Sequence, residues 1–370
     1  MRSTQTLFLT TALMLLIPLT SAATILRVNN TPEAGSNTYA SLDLALNNAS
    51  TVQIDTILIE SSDIIYDSEG VTINKQVRIY GTGFYLDDNP CTQADKRAAT
   101  FNTITFGSGS EGSLLGGVIA NTVRIEVSQI RLMRCNIENW LGLGTDGNIT
   151  NCMVYQCFIE GENDSLVSIV NCTNFVFRNN LINQIDTTTS NHILKVHKGS
   201  GIILNNIFKG GNKFQVDNIV LKNTTVQNNQ FGRHATFNTT SSSNVTAHNC
   251  ISEDDFLADY GGTTNNHTME IFTVEGYSID SLNCHSVMLG VSRDAIYQIN
   301  SAWTNTSHPF NPNPAYFGGA DGTHIGLAGG SDPYVLSGMP PIPSVADYSG
   351  SASGTPSNGS SAAIKGKSRR

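Results

Sequence analysis

The chain has 370 residues, with 21 Lys+Arg against 30 Asp+Glu and a formal net charge of -9. Only 14% of residues are charged and 39% are hydrophobic, while Asn alone makes up roughly a tenth, well above ordinary usage. That composition argues against long surface helices laced with Glu–Lys pairs, and against nucleic-acid binding, which needs concentrated Lys and Arg.

Residues 1–22 read as a secretory signal peptide: Arg2 gives a positive start, Leu7 to Leu19 an apolar stretch, and Thr20-Ser21-Ala22 small residues for cleavage. The apolar stretch, about 13 residues long, is too short for a bilayer core that needs about 20. The expected address is therefore secreted or cell-surface, with no membrane span. Residues 23–302 form the expected repeat region with its N-terminal cap. Apolar residues at Leu42, Ala45, Leu46 and Ala49 share the spacing of one helical face and predict a helix within Tyr39–Ala49. A helix there would cover the open end of a sheet, whose unpaired edge otherwise recruits other chains. Asp55–Ile59 and Gln76–Gly81 alternate as strands do, the second closing on a Gly turn.

A recurring unit then dominates: a short alternating strand, two small polar residues and a further apolar position. It reads Met133-Arg134-Cys135-Asn136-Ile137, Tyr155-Gln156-Cys157-Phe158-Ile159, Phe177-Arg178-Asn179-Asn180-Leu181, Leu204-Asn205-Asn206-Ile207, Gln227-Asn228-Asn229-Gln230-Phe231 and His248-Asn249-Cys250-Ile251. Taking Cys135, Gln156, Asn179, Asn205, Asn228 and Asn249 as equivalent gives steps of 21, 23, 26, 23 and 21. Gly116-Gly117-Val118 is a candidate earlier copy and Leu282-Asn283-Cys284 a later one. A strand-only period in the low twenties means a solenoid. Leucine-rich repeats need fixed leucines that this unit lacks, so the expected fold is all-β, a parallel β-helix. Asn tolerates the left-handed bend between strands, and an inward Asn can bond its equivalent one coil away.

Seven cysteines, Cys91, Cys135, Cys152, Cys157, Cys172, Cys250 and Cys284, are an odd number, so one chain cannot pair them all. Cys152 and Cys157 lack zinc-site spacing. Because Cys157 and Cys250 fall in the column of Asn180, Asn206 and Asn229, buried thiols are expected rather than bridges. Residues 303–343 are rich in Pro, Gly and aromatics and read as an extended segment packed on the solenoid. Residues 344–370 are Ser/Gly-rich and are expected to be disordered.

The helix, Asp55–Ile59, Val77–Gly81 and the Asn-bearing units together resemble secreted right-handed parallel β-helix proteins of the pectate-lyase-like superfamily. Asp321-Gly322-Thr323-His324-Ile325-Gly326, Gly329-Gly330 and Leu336–Pro343 are similar to the C-terminal portion of β-helix proteins from Bacteroidetes-type bacteria. The resemblance covers residues 24–343 and implies the fold more than any activity, because lyases, hydrolases, esterases and adhesins share it.

A lyase of this superfamily holds Ca²⁺ with acidic side chains and takes a proton with a basic one. Glu253-Asp254-Asp255 with Asp259, and Glu160, Glu162 and Asp164, are the acidic groups, and both read as solvated loops. A glycosidase needs carboxylates on neighbouring coils, but Asp186, Asp217 and Asp280 share no column. His192, His197, His234, His248, His267, His285, His308 and His324 have no common spacing. Arg178 and Arg233 read as outward coil residues, and Trp140 and Trp303 as loop-packing side chains before sugar-stacking ones. No nucleotide cradle is present. No catalytic, cofactor-binding or metal residue is therefore assigned. The expectation is a secreted, non-catalytic β-helix protein whose partner is an extracellular polysaccharide or surface glycan, with a divergent polysaccharide lyase or glycoside hydrolase as the alternative.

Overall fold

The computed structural model describes residues 23–31, 37–87, 95–163, 165–185, 192–210, 330–332, 334–335 and 338–342. It also gives the backbone of the strands between Ile219 and Met288 and of those at 344–350 and 362–367. Among these residues, 27 strands join in one sheet, two form another, and a single helix, Leu42–Asn48, stands apart.

Three stacks of parallel strands run through the large sheet. In the first, Leu115, Leu132, Val154, Phe177 and Ile203 hold one register position on successive repeats. In the second, Ala120, Ile137, Ile159, Ile182 and Phe208 do so. In the third, Val123, Leu141, Val167 and Leu194 align, as do Ile125, Leu143, Ile169 and Val196. Every one of these side chains is at most 1% exposed. Alternation along each strand sends every second residue inward, and the parallel register sets like upon like at about 4.8 Å. One continuous apolar interior results. The arrangement is compatible with a parallel β-helix.

The bend between the first and second stacks falls on one left-handed residue per repeat: Gly117 (φ 69°), Arg134 (φ 52°), Gln156 (φ 57°), Asn179 (φ 52°) and Asn205 (φ 55°). The next residue in each case, Val118, Cys135, Cys157, Asn180 or Asn206, is fully buried. This corrects the spacing read from sequence. Asn136 pairs with Phe158, so Gln156 is equivalent to Arg134, and Cys135 belongs with Cys157. Successive steps in the second stack are 22, 23 and 26 residues, from Asn136 to Phe158, Leu181 and Ile207. A second left-handed column, Gln129, Asn151 and Asn174, has no counterpart in the sequence reading; Asn174 Nδ2 there donates to Asn151 Oδ1.

The inward Asn residues form the expected amide ladder. Asn180 Nδ2 donates to Asn206 Oδ1 at 3.0 Å and to Val154 O at 3.0 Å. Asn180 Oδ1 accepts from the Cys157 N–H at 2.9 Å, and Asn206 Oδ1 from the Asn180 N–H at 2.9 Å. Asn206 Nδ2 donates to Phe177 O at 2.9 Å. Burial in low dielectric makes such bonds costly to leave unmade. Cys135, Cys152, Cys157 and Cys172 are buried free thiols. Cys91 and the side chains of Cys250 and Cys284 lie outside the described residues.

In the helix, Leu42, Ala45 and Leu46 are buried, as is Ala49 just beyond it, which matches the expected face. Ser41 Oγ accepts from the Leu44 N–H, Asp67 Oδ2 accepts from the Leu42 N–H at 2.9 Å, and Lys75 Nζ donates to Ala49 O at 2.9 Å. Both helix ends are thus satisfied by side chains of matching charge. Nearby, the buried Asp55 accepts from the Thr24 and Ser50 N–H groups, each at 2.7 Å. At the other terminus, Ser344–Gly350 and Ala362–Lys367 pair as antiparallel strands where the Ser/Gly composition predicts no regular structure. Backbone pairing needs only N–H and C=O groups, which that composition leaves intact.

Candidate functional site

Phe158, Leu181 and Ile207 follow the buried bend residues and alternate with the inward Ile159, Ile182 and Phe208. They lie outside the main apolar interior, yet are only 1%, 7% and 6% exposed. Other segments cover this outer stripe. The Phe84 ring stacks on Phe158 at 6.4 Å between centroids, and Tyr85 meets Phe158 edge-on at 6.1 Å. Phe84 and Leu86 are themselves buried by this packing, with the left-handed Tyr85 (φ 47°) between them.

That cover draws a polar cluster together at the rim of the stripe. Tyr85 Oη donates to Glu160 Oε1 at 2.8 Å. Asn136 Nδ2 lies 3.5 Å from both Tyr85 Oη and Glu138 Oε1. Asn136 is fully buried, and its Oδ1 has no partner among the described residues. Loss of water pushes the Tyr85 phenol well above its usual range, and the Glu160 charge adds to this. Glu138 is pushed up by the same loss of water and then by the Glu160 charge, although much of its side chain meets solvent. Two carboxylates on neighbouring repeats thus flank a phenol and an amide. Such a set can accept and donate hydrogen bonds to a polyhydroxyl ligand.

Glu160 was expected in a solvated loop; the structure corrects this, since the residue is 8% exposed and its carboxylate is engaged by Tyr85. Glu162 is exposed, as expected. Arg178 is half-buried, its guanidinium carbon 5.3 Å above the Tyr155 ring and its Nη2 2.9 Å from Asp332 Oδ2. Trp140 is not on a loop but within the strand Asn136–Leu143, lying over Gly142 with the Arg124 guanidinium 5.4 Å above it. His197 is exposed. Asp164, Asp186, Asp217, Arg233, Glu253, Asp254, Asp255, Asp280, Trp303, His234, His267, His308 and His324 lie outside the described residues, as do the side chains of Asp259, His192, His248 and His285. Tyr85, Asn136 and Glu138 were not singled out from sequence. Tyr85 lies 75 residues from Glu160, and nothing local marks the fold-back that joins them.

No family model, no curated protein and no solved structure matches the chain.

Proposed function

We propose that the protein is a secreted, non-catalytic right-handed parallel β-helix, related in fold to the pectate-lyase-like superfamily, that binds an extracellular polysaccharide or surface glycan. The helix Leu42–Asn48 caps one end of the solenoid in this reading. The observation that carries glycan binding is the Tyr85–Asn136–Glu138–Glu160 cluster: acceptors and donors gathered at the rim of an aromatic patch, the pairing that sugar hydroxyls and their apolar faces require. A signal-like N-terminus and the long polar flank of the strands accord with an extracellular role. The full mature chain, incubated with a panel of acidic and neutral glycans, tests the reading. Retention without cleavage is expected, weakened about tenfold or more in Tyr85→Phe and Glu160→Gln, each of which removes or neutralises a charge-assisted bond. Failure to retain any glycan would sink it.

A second reading, glycoside hydrolase, is favoured by one observation: Glu138 and Glu160 follow the paired Ile137 and Ile159 on neighbouring repeats. Carboxylates on neighbouring coils are what acid–base hydrolysis of a glycosidic bond uses. Release of reducing ends in the same panel, abolished by Glu138→Gln, would select this reading over binding alone.

A further inference from the structure

We propose that the outward face of the first stack docks an acidic peptide in extended polyproline-II conformation, with Arg78 and Arg131 as its anchors. Asn136, Glu138 and Glu160 belong to the second stack, so this surface is separate from the candidate glycan site.

Register assembles the face. Leu26, Ile57 and Ile79 extend the inward line that continues through Leu115 to Ile203, so eight strands, from Ile25–Val28 to Ser200–Leu204, stack in one file. The residues flanking each inward one point outward and form two columns. Arg78 and Arg131 share one column, two steps apart with Leu114 between them. Arg27 and Arg178 stand in the other, on the strands two steps before Arg78 and two steps after Arg131. Arginine therefore recurs on every second strand, and no Asp or Glu occupies either column. The chain as a whole has a net charge of -9, so this cationic file runs against its overall sign. Arg78 and Arg131 are exposed, while Leu114, Met153 and Val176 along their column are half-buried.

The outer two arginines show what the file takes. Arg27 pairs with the Glu60 carboxylate. Arg178 Nη2 lies 2.9 Å from Asp332 Oδ2, with its guanidinium carbon 5.3 Å over the Tyr155 ring. The exposed guanidiniums of Arg78 and Arg131 offer the same planar fork, which a carboxylate fills with two parallel bonds.

Spacing chooses the conformation of the partner. Two steps at strand spacing separate the anchors by about 9.6 Å. A polyproline-II chain rises about 3.1 Å per residue with about three residues per turn, so every third side chain returns to one face after about 9.3 Å. A β-strand repeats a face every second residue, about 6.8 Å, and falls out of step with the anchors. The sheet face offers no backbone groups, because parallel neighbours on both sides use them. A polyproline-II chain, whose own backbone stays solvated, needs none. Tyr80 and Tyr155 in the adjoining column supply aromatic flanks of the kind on which such chains rest. A sugar polymer fits less well, since Leu114, Met153 and Val176 give its hydroxyls no acceptor as they lose water.

Fluorescence anisotropy of the full chain with two labelled peptides of equal length and composition tests the docking. One peptide is built of repeated Glu-Pro-Pro units; the other carries the same glutamates in a single block. The repeated peptide should bind at least about tenfold more tightly, and its affinity should fall as salt rises. Arg78→Gln and Arg131→Gln should each weaken it about tenfold, as expected for loss of a charge-assisted pair, and Arg78→Lys should keep part of the affinity. Arg124→Gln, at an exposed arginine on the third stack, should leave binding unchanged. Equal binding of the two peptides, binding of neither, or an equal loss in Arg124→Gln overturns the proposal. So does retention of hyaluronate or of phosphatidylglycerol vesicles through Arg78 and Arg131 when the repeated peptide is not held. The comparison of the two peptides uses the parent chain, and so decides the matter even where a substitution harms folding.

Discussion

Replacing Asn180 by Ala removes the central rung of the amide ladder. Three bonds go: Nδ2 to Asn206 Oδ1, Nδ2 to Val154 O, and the Cys157 N–H to Oδ1. Asn206 Oδ1 keeps the Asn180 N–H, so it is not left bare. The Cys157 N–H loses its side-chain acceptor in a fully buried position. At about 1 kcal/mol per net bond, plus the larger desolvation cost of an orphaned donor, the loss comes to about 3–5 kcal/mol. Stacked repeats do not guarantee all-or-none unfolding, so native-state hydrogen exchange should accompany guanidinium titration. The exposed Asn102, which donates to Ser68 O, is the control; Asn102→Ala should stay within about 0.5 kcal/mol. A double cycle with Asn206→Ala should show coupling of about 1 kcal/mol or more. If Asn180→Ala costs under about 1 kcal/mol and the Cys157 amide exchanges no faster, the ladder is a by-product of packing and the reasoning fails.

Three further outcomes are expected. Cys135, Cys152, Cys157 and Cys172 should resist iodoacetamide in the folded chain and all react in denaturant, as mass spectrometry would register; fast labelling of any one of them in the native state contradicts its burial. Gln129 is exposed and left-handed at φ 65°, so Gln129→Gly should be more stable than Gln129→Val by about 1–2 kcal/mol in a denaturation midpoint. Burial raises the Asp67 carboxyl above its ordinary value despite the Leu42 and Asp43 N–H groups that favour its charge. A raised folded-state value means that the native chain holds the proton more tightly. Its contribution to stability is therefore full below an unfolded value of about 3.9 and lost as pH rises through the folded value. The melting temperature of the parent relative to Asp67→Asn should accordingly improve as pH falls from 6.5 towards 3.5.

The repeat was legible because its cause is local. A bend that demands left-handed backbone selects Asn, and an inward position at strand spacing selects it again, so Asn179-Asn180 and Asn205-Asn206 carry the signal in plain view. Where another residue takes the bend, the signal blurs. Arg134 takes the bend with its guanidinium held by Gln156 Oε1 at 2.7 Å and by Met339 O, contacts that no local pattern displays, and the alignment slipped there by one residue. The candidate site was less legible still. Glu160 was visible as an acid but read as solvated, because its burial comes from residues 84–86, far away in the chain. The helix face was read correctly from Leu42, Ala45, Leu46 and Ala49, whereas Asp67 and Lys75, which finish its ends, come from outside the segment.

The unequal steps of 22, 23 and 26 residues share one unbroken register. Much of the difference is lodged where three residues separate Phe158–Gly161 from Ser165–Ile169 but seven separate Leu181–Gln184 from His192–Val196. Chain added at that corner leaves the pairing of the strands on either side untouched. Lineages that lengthen or recast this edge can therefore change what the protein presents to its surroundings while the stacking below is inherited unaltered. Kinship in such a molecule would persist in its rhythm of bends long after the corners had diverged beyond alignment.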